Sequence, residues 1–148
     1  MFKILNENSA YLELKYSSGK INYTRDQLVV EGVLENEKIY IIVNHWPSRS
    51  GGELGSRPYR NKAAELNMFI IDSIQSINKN AKIITMGDFN DDPTNESIKK
   101  ILGAKDSRNN LKNSDLYNPW ENLFKSGVGT LVYSCLLYTS DAADEADG

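Results

Sequence analysis

The chain has one histidine and one cysteine in 148 residues. A lone cysteine, Cys135, excludes an internal disulfide framework and leaves the redox compartment open. A lone histidine makes His45 the one imidazole available for proton transfer or phosphate contact near neutral pH. No apolar run is long enough to span a membrane, and the longest cluster, 39–43, is strand-sized. No charged-then-apolar leader follows Met1, because Phe2-Lys3-Ile4-Leu5 gives way at once to Asn6-Glu7-Asn8. There is no internal repeat. Excess charge is also lacking. The formal net charge is −3, and four of the acids (Asp141, Asp144, Glu145, Asp147) sit in 135–148, which has no basic residue. The remaining near-neutral body does not exclude nucleic acid, because a phosphate groove needs only a local basic cluster.

What is present is ordinary globular material, 40% hydrophobic and 25% charged, of a length that suits one domain with a real core. Alternation over 11–16 predicts a strand, with a turn at 17–20. A second strand is expected over 27–34 and a turn at 35–38. A third covers 39–44, apolar throughout and so expected to be buried on both faces. Residues 47–55 read as a loop. Arg57-Pro58 should open a helix whose apolar stripe is Ala63, Leu66, Ile70, Ile74 and Ile77, stopped at Asn78-Lys79-Asn80. A strand over 82–86 follows. A second helix is expected over 93–102, capped by Thr94 or Asn95. Residues 103–114 read as irregular, 116–125 as a short helix interrupted at Pro119, and 129–133 as a strand. Strands and helices in this order predict an α/β fold with mixed sheets and helices packed outside.

Two strand ends carry the chemistry. Gly87-Asp88-Phe89-Asn90 follows an apolar run and leads into the turn Asp91-Asp92-Pro93. An acid at the carboxyl end of a strand can bind a divalent cation or take a proton from water. An amide two residues on can donate to phosphate and accept from a water, and along an extended backbone it would point to the same side. Either residue could equally be a turn former that bonds its own backbone. Asp91 and Asp92 read as turn residues only. The second strand end is Asn44-His45-Trp46-Pro47-Ser48-Arg49. His45 could donate to phosphate or simply pack beside Trp46, which itself reads as core. Arg25, Arg49, Arg57 and Arg60 form the basic set, since the planar guanidinium suits phosphate. Arg49 lies in the Gly-rich loop after His45. Arg57 and Arg60 lie near a helix start. Each could instead be a solvated surface charge, Arg60 most readily. Together the strand ends describe a site for metal-assisted phosphoester cleavage.

The segments 44–52 and 87–93 resemble the endonuclease/exonuclease/phosphatase superfamily, in particular its bacterial endonuclease-like branch, and Tyr23-Thr24-Arg25-Asp26 is similar to a strand lead-in of that family. The resemblance covers roughly 1–133. It implies a DNase I-like four-layer α/β sandwich and hydrolysis of phosphodiesters or phosphomonoesters dependent on Mg2+ or Mn2+. It implies that Asp88 orients or deprotonates the attacking water, that Asn90 helps hold water, metal or phosphate, and that His45 bonds the scissile phosphate. Arg25 resembles a phosphate-contacting arginine. The implied metal ligands in this chain are Asp88 and Asn90, with Arg25, Arg49 and Arg57 toward substrate phosphate.

Two departures accompany the resemblance. The family's asparagine strand and metal-binding glutamate strand have no counterpart, and its terminal Ser-Asp-His motif is absent. The run 134–145 resembles translated sequencing adapter. The expectation is therefore a fragment, incomplete at both ends, with 1–134 belonging to one domain and 135–148 a disordered tail foreign to it. Such a fragment should be inactive. The expected substrate is nucleic acid, on a monomer with no stable protein partner and no membrane segment. The compartment is open, with a bacterial cytoplasm the default. Alternatives are a lipid phosphodiesterase or phosphoinositide phosphatase of the same superfamily, and a non-catalytic binding module.

Overall fold

A computed structural model describes residues 1–15, 18–22 and 24–129. In chain order these form β1 (Lys3–Ala10), β2 (Leu14–Lys15), β3 (Ile21–Asn22), β4 (Gln27–Leu34), β5 (Glu37–His45), α1 (Glu53–Ile77), β6 (Lys82–Asp88), a π-helical turn (Ser97–Ile101) and α2 (Trp120–Lys125). One sheet has the strand order β1-β4-β5-β6, and β2 pairs with β3 in a separate two-stranded ladder. The expected α/β class, with a mixed sheet and helices outside it, is what the chain adopts.

β4 and β5 pair antiparallel with Leu34 opposite Glu37. The loop between them is therefore only Glu35-Asn36, and both residues have left-handed backbone, φ 49 and 67. That is the two-residue hairpin whose twist matches its strands. β5 and β6 pair in parallel, which requires a long crossover, and α1 is that crossover. β1, which the polar run Lys3–Ala10 did not signal, pairs antiparallel along β4. Its side chains are largely exposed, so burial left no alternation to read.

α1 begins at Glu53, four residues before the expected start. Pro58 falls in its second turn, where the hydrogen bond it cannot donate would have gone to exposed Leu54. The buried face is Ser56, Arg60, Ala63, Ala64, Asn67, Ile70 and Ile71. Ile77, expected to extend the stripe, is 89% exposed. The face is thus set further toward the N-terminus than the apolar residues indicate, and half of that end is polar. Residues 93–102 form a tight turn and one π-helical turn rather than a regular helix, with the 98 and 99 N–H groups both donating to the Asn95 carbonyl. The last helix starts only after Pro119, as the interruption there suggested. Of the strand expected over 11–16, the described residues 11–15 hold just the short β2. The strand expected over 129–133 and the segment 135–148 lie outside the described residues, apart from Gly129.

Ile42 packs with Ile70 and Ile71, while Trp46 packs with Leu12, Leu14, Ala63, Ala64, Ile98, Leu102 and Ala104. Both clusters lie on the α1 side of the sheet. Burial of β5 on both faces is not found. Ile42 and Asn44 are buried, but Val43 is exposed, as are its lateral neighbours Leu28 and Met86. The reason is that α1 covers one face, and among the described residues no element covers the other. Among the described residues, no helix is long and apolar enough to cross a membrane.

α2 is held by charge as much as by packing. The buried Glu121 carboxylate accepts from Lys99 Nζ at 2.7 Å and pairs with Lys125 Nζ at 2.8 Å. Asp106 pairs with Lys125 at 3.2 Å and Asp115 with Lys105 at 2.6 Å. Burial pushes Glu121 upward, but hydrogen bonds from Lys125 and Lys99 outweigh it and the net shift is downward. Asp106 is lowered by its bond to Lys125, and Asp115 by its bond to Lys105. Lowered carboxylates stabilise the folded state above their unfolded values and lose that contribution as pH falls through the folded ones. Residues 104–126 should therefore loosen on acidification below the ordinary values of 3.8 to 4.5. Fluorescence of the half-exposed Trp120 followed against pH checks this, and Glu121→Gln should flatten the curve.

Candidate active site

The parallel register of β5 and β6 runs to its last pairs, Asn44 beside Gly87 and His45 beside Asp88. Laterally paired residues share a face, so His45 and Asp88 emerge together at the carboxyl ends of adjacent strands. His45 Nε2 lies 3.9 Å from Asp88 Oδ2, with side chains 48% and 64% exposed. That separation is beyond a hydrogen bond. Each group therefore keeps its polar edge for something else.

Two features set this separation. Gly87 has φ 125, and a Cβ there would stand 2.1 Å from the Asn44 carbonyl oxygen. Only glycine allows this approach. Below it, the buried Asn44 amide donates to Thr85 Oγ1 at 2.8 Å and to the Met86 carbonyl at 3.1 Å. Asn44 Oδ1 accepts from Trp46 Nε1 at 3.0 Å and from Asn67 Nδ2 at 2.8 Å. Gln27 extends the network, accepting from Asn67 and donating to the Ala63 carbonyl. β4, β5, β6 and α1 are thus cross-linked beneath the strand ends by a buried polar network, in which Asn67 Oδ1 is left without a hydrogen-bond partner and which is costly to disturb in a core.

Past Asp88 the chain turns back. The Trp46 N–H donates to the Asp88 carbonyl at 2.9 Å. Asn90 N–H donates to Asp88 Oδ1 at 2.9 Å, and Asn90 Nδ2 to the Trp46 carbonyl at 2.8 Å. Asn90 itself is left-handed, φ 51. The extended path expected between Asp88 and Asn90 is replaced by this Asx-type turn, yet Asn90 is still tied to the His45 strand end. Phe89 packs edge-on against Trp46, their ring centroids 4.7 Å apart. Trp46 is buried, as expected.

The arginines separate. Arg49 reaches over the loop, its Nε donating to the Asn90 carbonyl at 2.9 Å and its Nη2 to Asp92 Oδ2 at 3.0 Å. Arg57 is bound by both oxygens of Glu53, at 3.0 and 2.9 Å. That bond raises the Arg57 pKa and lowers that of Glu53. Arg57 lines a different cleft, with Glu96, Lys99 and Lys100. Arg25 is exposed ahead of β4. Because Leu28 pairs with Val43, Arg25 lies at the same end of the sheet as His45. Arg60, expected at the surface, is fully buried and bonded to Asp91, expected to be a plain turn residue. One signal was available for Arg60. Continuing the stripe backward from Ala63 at helical spacing reaches positions 60 and 56.

A family model described as the endonuclease/exonuclease/phosphatase family matches residues 1–142. The chain belongs to this family. Among solved structures it is similar to truncated Caenorhabditis elegans TDP2, at 20% identity and TM-score 0.49, covering 62% of this chain and 33% of that one. It is also similar to the human Nocturnin catalytic domain with bound sulfate, at 24% identity and TM-score 0.46, covering 68% and 36%. The chain thus spans about a third of the length of these two structures. No curated protein matches it.

Members of the endonuclease/exonuclease/phosphatase family imply a divalent cation. Asp88 and Asn90 are hard oxygen donors of the type Mg2+ and Mn2+ take, and Mg2+ commonly needs only one or two protein carboxylates beside its waters. The donor chemistry fits. Among the described residues it is partial, since no three His, Cys, Asp or Glu side chains converge.

Proposed function

We propose that this chain carries part of the catalytic centre of a metal-dependent phosphodiesterase, a nuclease acting on DNA or RNA. The observation that supports this best is the parallel pairing of His45 with Asp88. It sets an imidazole and a carboxylate side by side, solvent-facing and not bonded to each other. Asp88 holds the attacking water and takes its proton through Oδ2, because Oδ1 is engaged by the Asn90 N–H. Asn90 commits its amide nitrogen to Trp46, so its oxygen end is turned to water or cation. His45 donates from Nε2 to a phosphoryl oxygen and stabilises charge that builds there. Arg25 meets the phosphate from the edge of the same sheet end. Arg49 braces the loop, with its Nε and Nη2 bonded to Asn90 and Asp92. Asp88 and Asn90 would hold Mg2+ or Mn2+, which when bound would supply Lewis-acid polarisation and a more acidic water.

Titration of the 15N-labelled chain with Mn2+ tests the reading. Paramagnetic broadening should centre on 88–90 and 44–46, and Asp88→Asn should weaken it about tenfold or more. Broadening centred instead on Asp106, Asp115 or Glu121 overturns the assignment. The 148-residue chain itself should hydrolyse a phosphodiester such as bis(p-nitrophenyl) phosphate only at background rate. One histidine and a partial donor set leave acid catalysis and metal retention short. Brisk Mg2+-dependent turnover would refute that expectation.

A further inference from the structure

Asp91 follows Asn90 directly, yet its side chain is 1% exposed, while those of Asp88 and Asp92 reach solvent. Its Oδ1 accepts from Arg60 Nε at 2.5 Å and from Asn95 Nδ2 at 3.0 Å, and its Oδ2 from Ser97 Oγ at 2.6 Å. Arg60, with no exposed side-chain surface, donates through Nη1 to Ser56 Oγ at 2.7 Å and through Nη2 to the Glu53 carbonyl at 3.1 Å. Arg49 Nη2 stands 3.7 Å from Asp91 on the outer side.

A buried ion pair is a poor way to add stability. Apolar residues of similar volume commonly serve as well or better, because neither charge then leaves water. What a carboxylate held by three donors adds is direction. The residue before it needs direction. Asn90 sits in a left-handed conformation, which asparagine tolerates better than most side chains but which its own sequence does not enforce. From that conformation its side chain reaches the Trp46 carbonyl and its N–H reaches Asp88 Oδ1.

We propose that Arg60 and Asp91 are positioning residues. Their buried clamp holds Asn90 in its left-handed turn and thereby orients the Asp88 carboxylate beside His45. The proposal rests on the catalytic reading of His45, Asp88 and Asn90. It adds that the geometry of this exposed group is fixed from inside, by the first turns of α1.

The test is the double replacement Arg60→Met with Asp91→Leu in the full chain, which removes both charges and keeps an apolar contact. Three quantities are read: the melting temperature, the three-bond coupling and side-chain amide shifts of Asn90, and Mn2+ broadening at 88–90. The melting temperature should stay close to that of the unsubstituted chain. The Asn90 coupling should leave its left-handed value, and Mn2+ affinity should fall about tenfold. Unchanged Asn90 geometry overturns the clamp. Should the double variant fail to fold, Asp91→Asn keeps the volume and an acceptor for Ser97, and the same readouts apply. If Mn2+ does not bind near Asp88 in the unsubstituted chain, the catalytic reading fails, while the Asn90 coupling still decides the clamp.

Discussion

Gly87→Ala should lower the stability of the chain by about 3–5 kcal/mol, combining overpacking with a strained backbone. The added methyl would meet the backbone of Asn44, its carbonyl oxygen at 2.1 Å and its nitrogen at 2.8 Å. No rotamer change relieves a clash with main chain. The φ of 125 is also one that an L side chain rarely adopts. The strand ends must part, and the bond from the Trp46 N–H to the Asp88 carbonyl parts with them. A fall in melting temperature of roughly 10 °C is expected at this chain length. Loss of the Mn2+ response at 88–90 should accompany it, because His45 and Asp88 share that register. Gly55→Ala is the control. It lies in α1 with nothing within 4 Å of the new Cβ, so it should be neutral or stabilising by about 0.5–1 kcal/mol. A Gly87→Ala chain that melts like the unsubstituted one would show that the strand ends are not in van der Waals register.

Arg60→Met alone should cost about 3–5 kcal/mol, the usual effect of leaving one partner of a buried pair behind. The Asp91 carboxylate would keep Asn95 and Ser97 as donors but lose the nearer and buried of its two arginines, leaving Arg49 at 3.7 Å. Asp91→Leu should cost a similar amount, by leaving the guanidinium with Ser56, the Glu53 carbonyl and a Glu53 carboxylate oxygen 3.6 Å away that is already bonded to Arg57. The two losses should not add, since the double variant strands neither charge. Urea unfolding of the four-member cycle measures the coupling. Additive losses would mean that the two residues act separately. Arg57 offers the contrast, since its pair with Glu53 is solvent-facing, and Arg57→Met should change stability little.

The parts of the fold that were legible from residues are those where one local rule dominates. The run before Gly87 is strand-like whatever surrounds it. Gly51-Gly52 ends any helix reaching backward, and Pro119 delays α2 to Trp120. β1 was not legible, because a polar, exposed edge strand carries no alternation and is specified by the strand it pairs with. The inner face of α1 was half legible. Apolar spacing found Ala63 and Ile70 but passed over Arg60 and Asn67, since polarity normally marks the outside. Ile77 misled for the converse reason, as an apolar residue that is exposed at the end of its helix.

The site divides in the same way. His45, Asp88 and Asn90 were visible as residues because their chemistry and their place after apolar runs are local properties, and the family pattern in 44–52 and 87–93 is a property of the sequence. Their arrangement was not visible. His45 and Asp88 are 43 positions apart, and they meet through a parallel register held by Asn44, Thr85 and a glycine-only approach. Asn90 reaches Trp46 through a left-handed turn rather than an extended strand. Arg49 and Arg57 carry the right charge, but each is committed to a carboxylate, a choice made by neighbours in space. By itself the sequence determined the family and the α/β class and singled out the candidate groups, because these follow from residue type and local pattern. Only the tertiary structure decided which groups face each other, which charges are buried and which arginines are already paired. Those depend on contacts between segments distant in the chain, where burial alters the energy of every polar group it encloses.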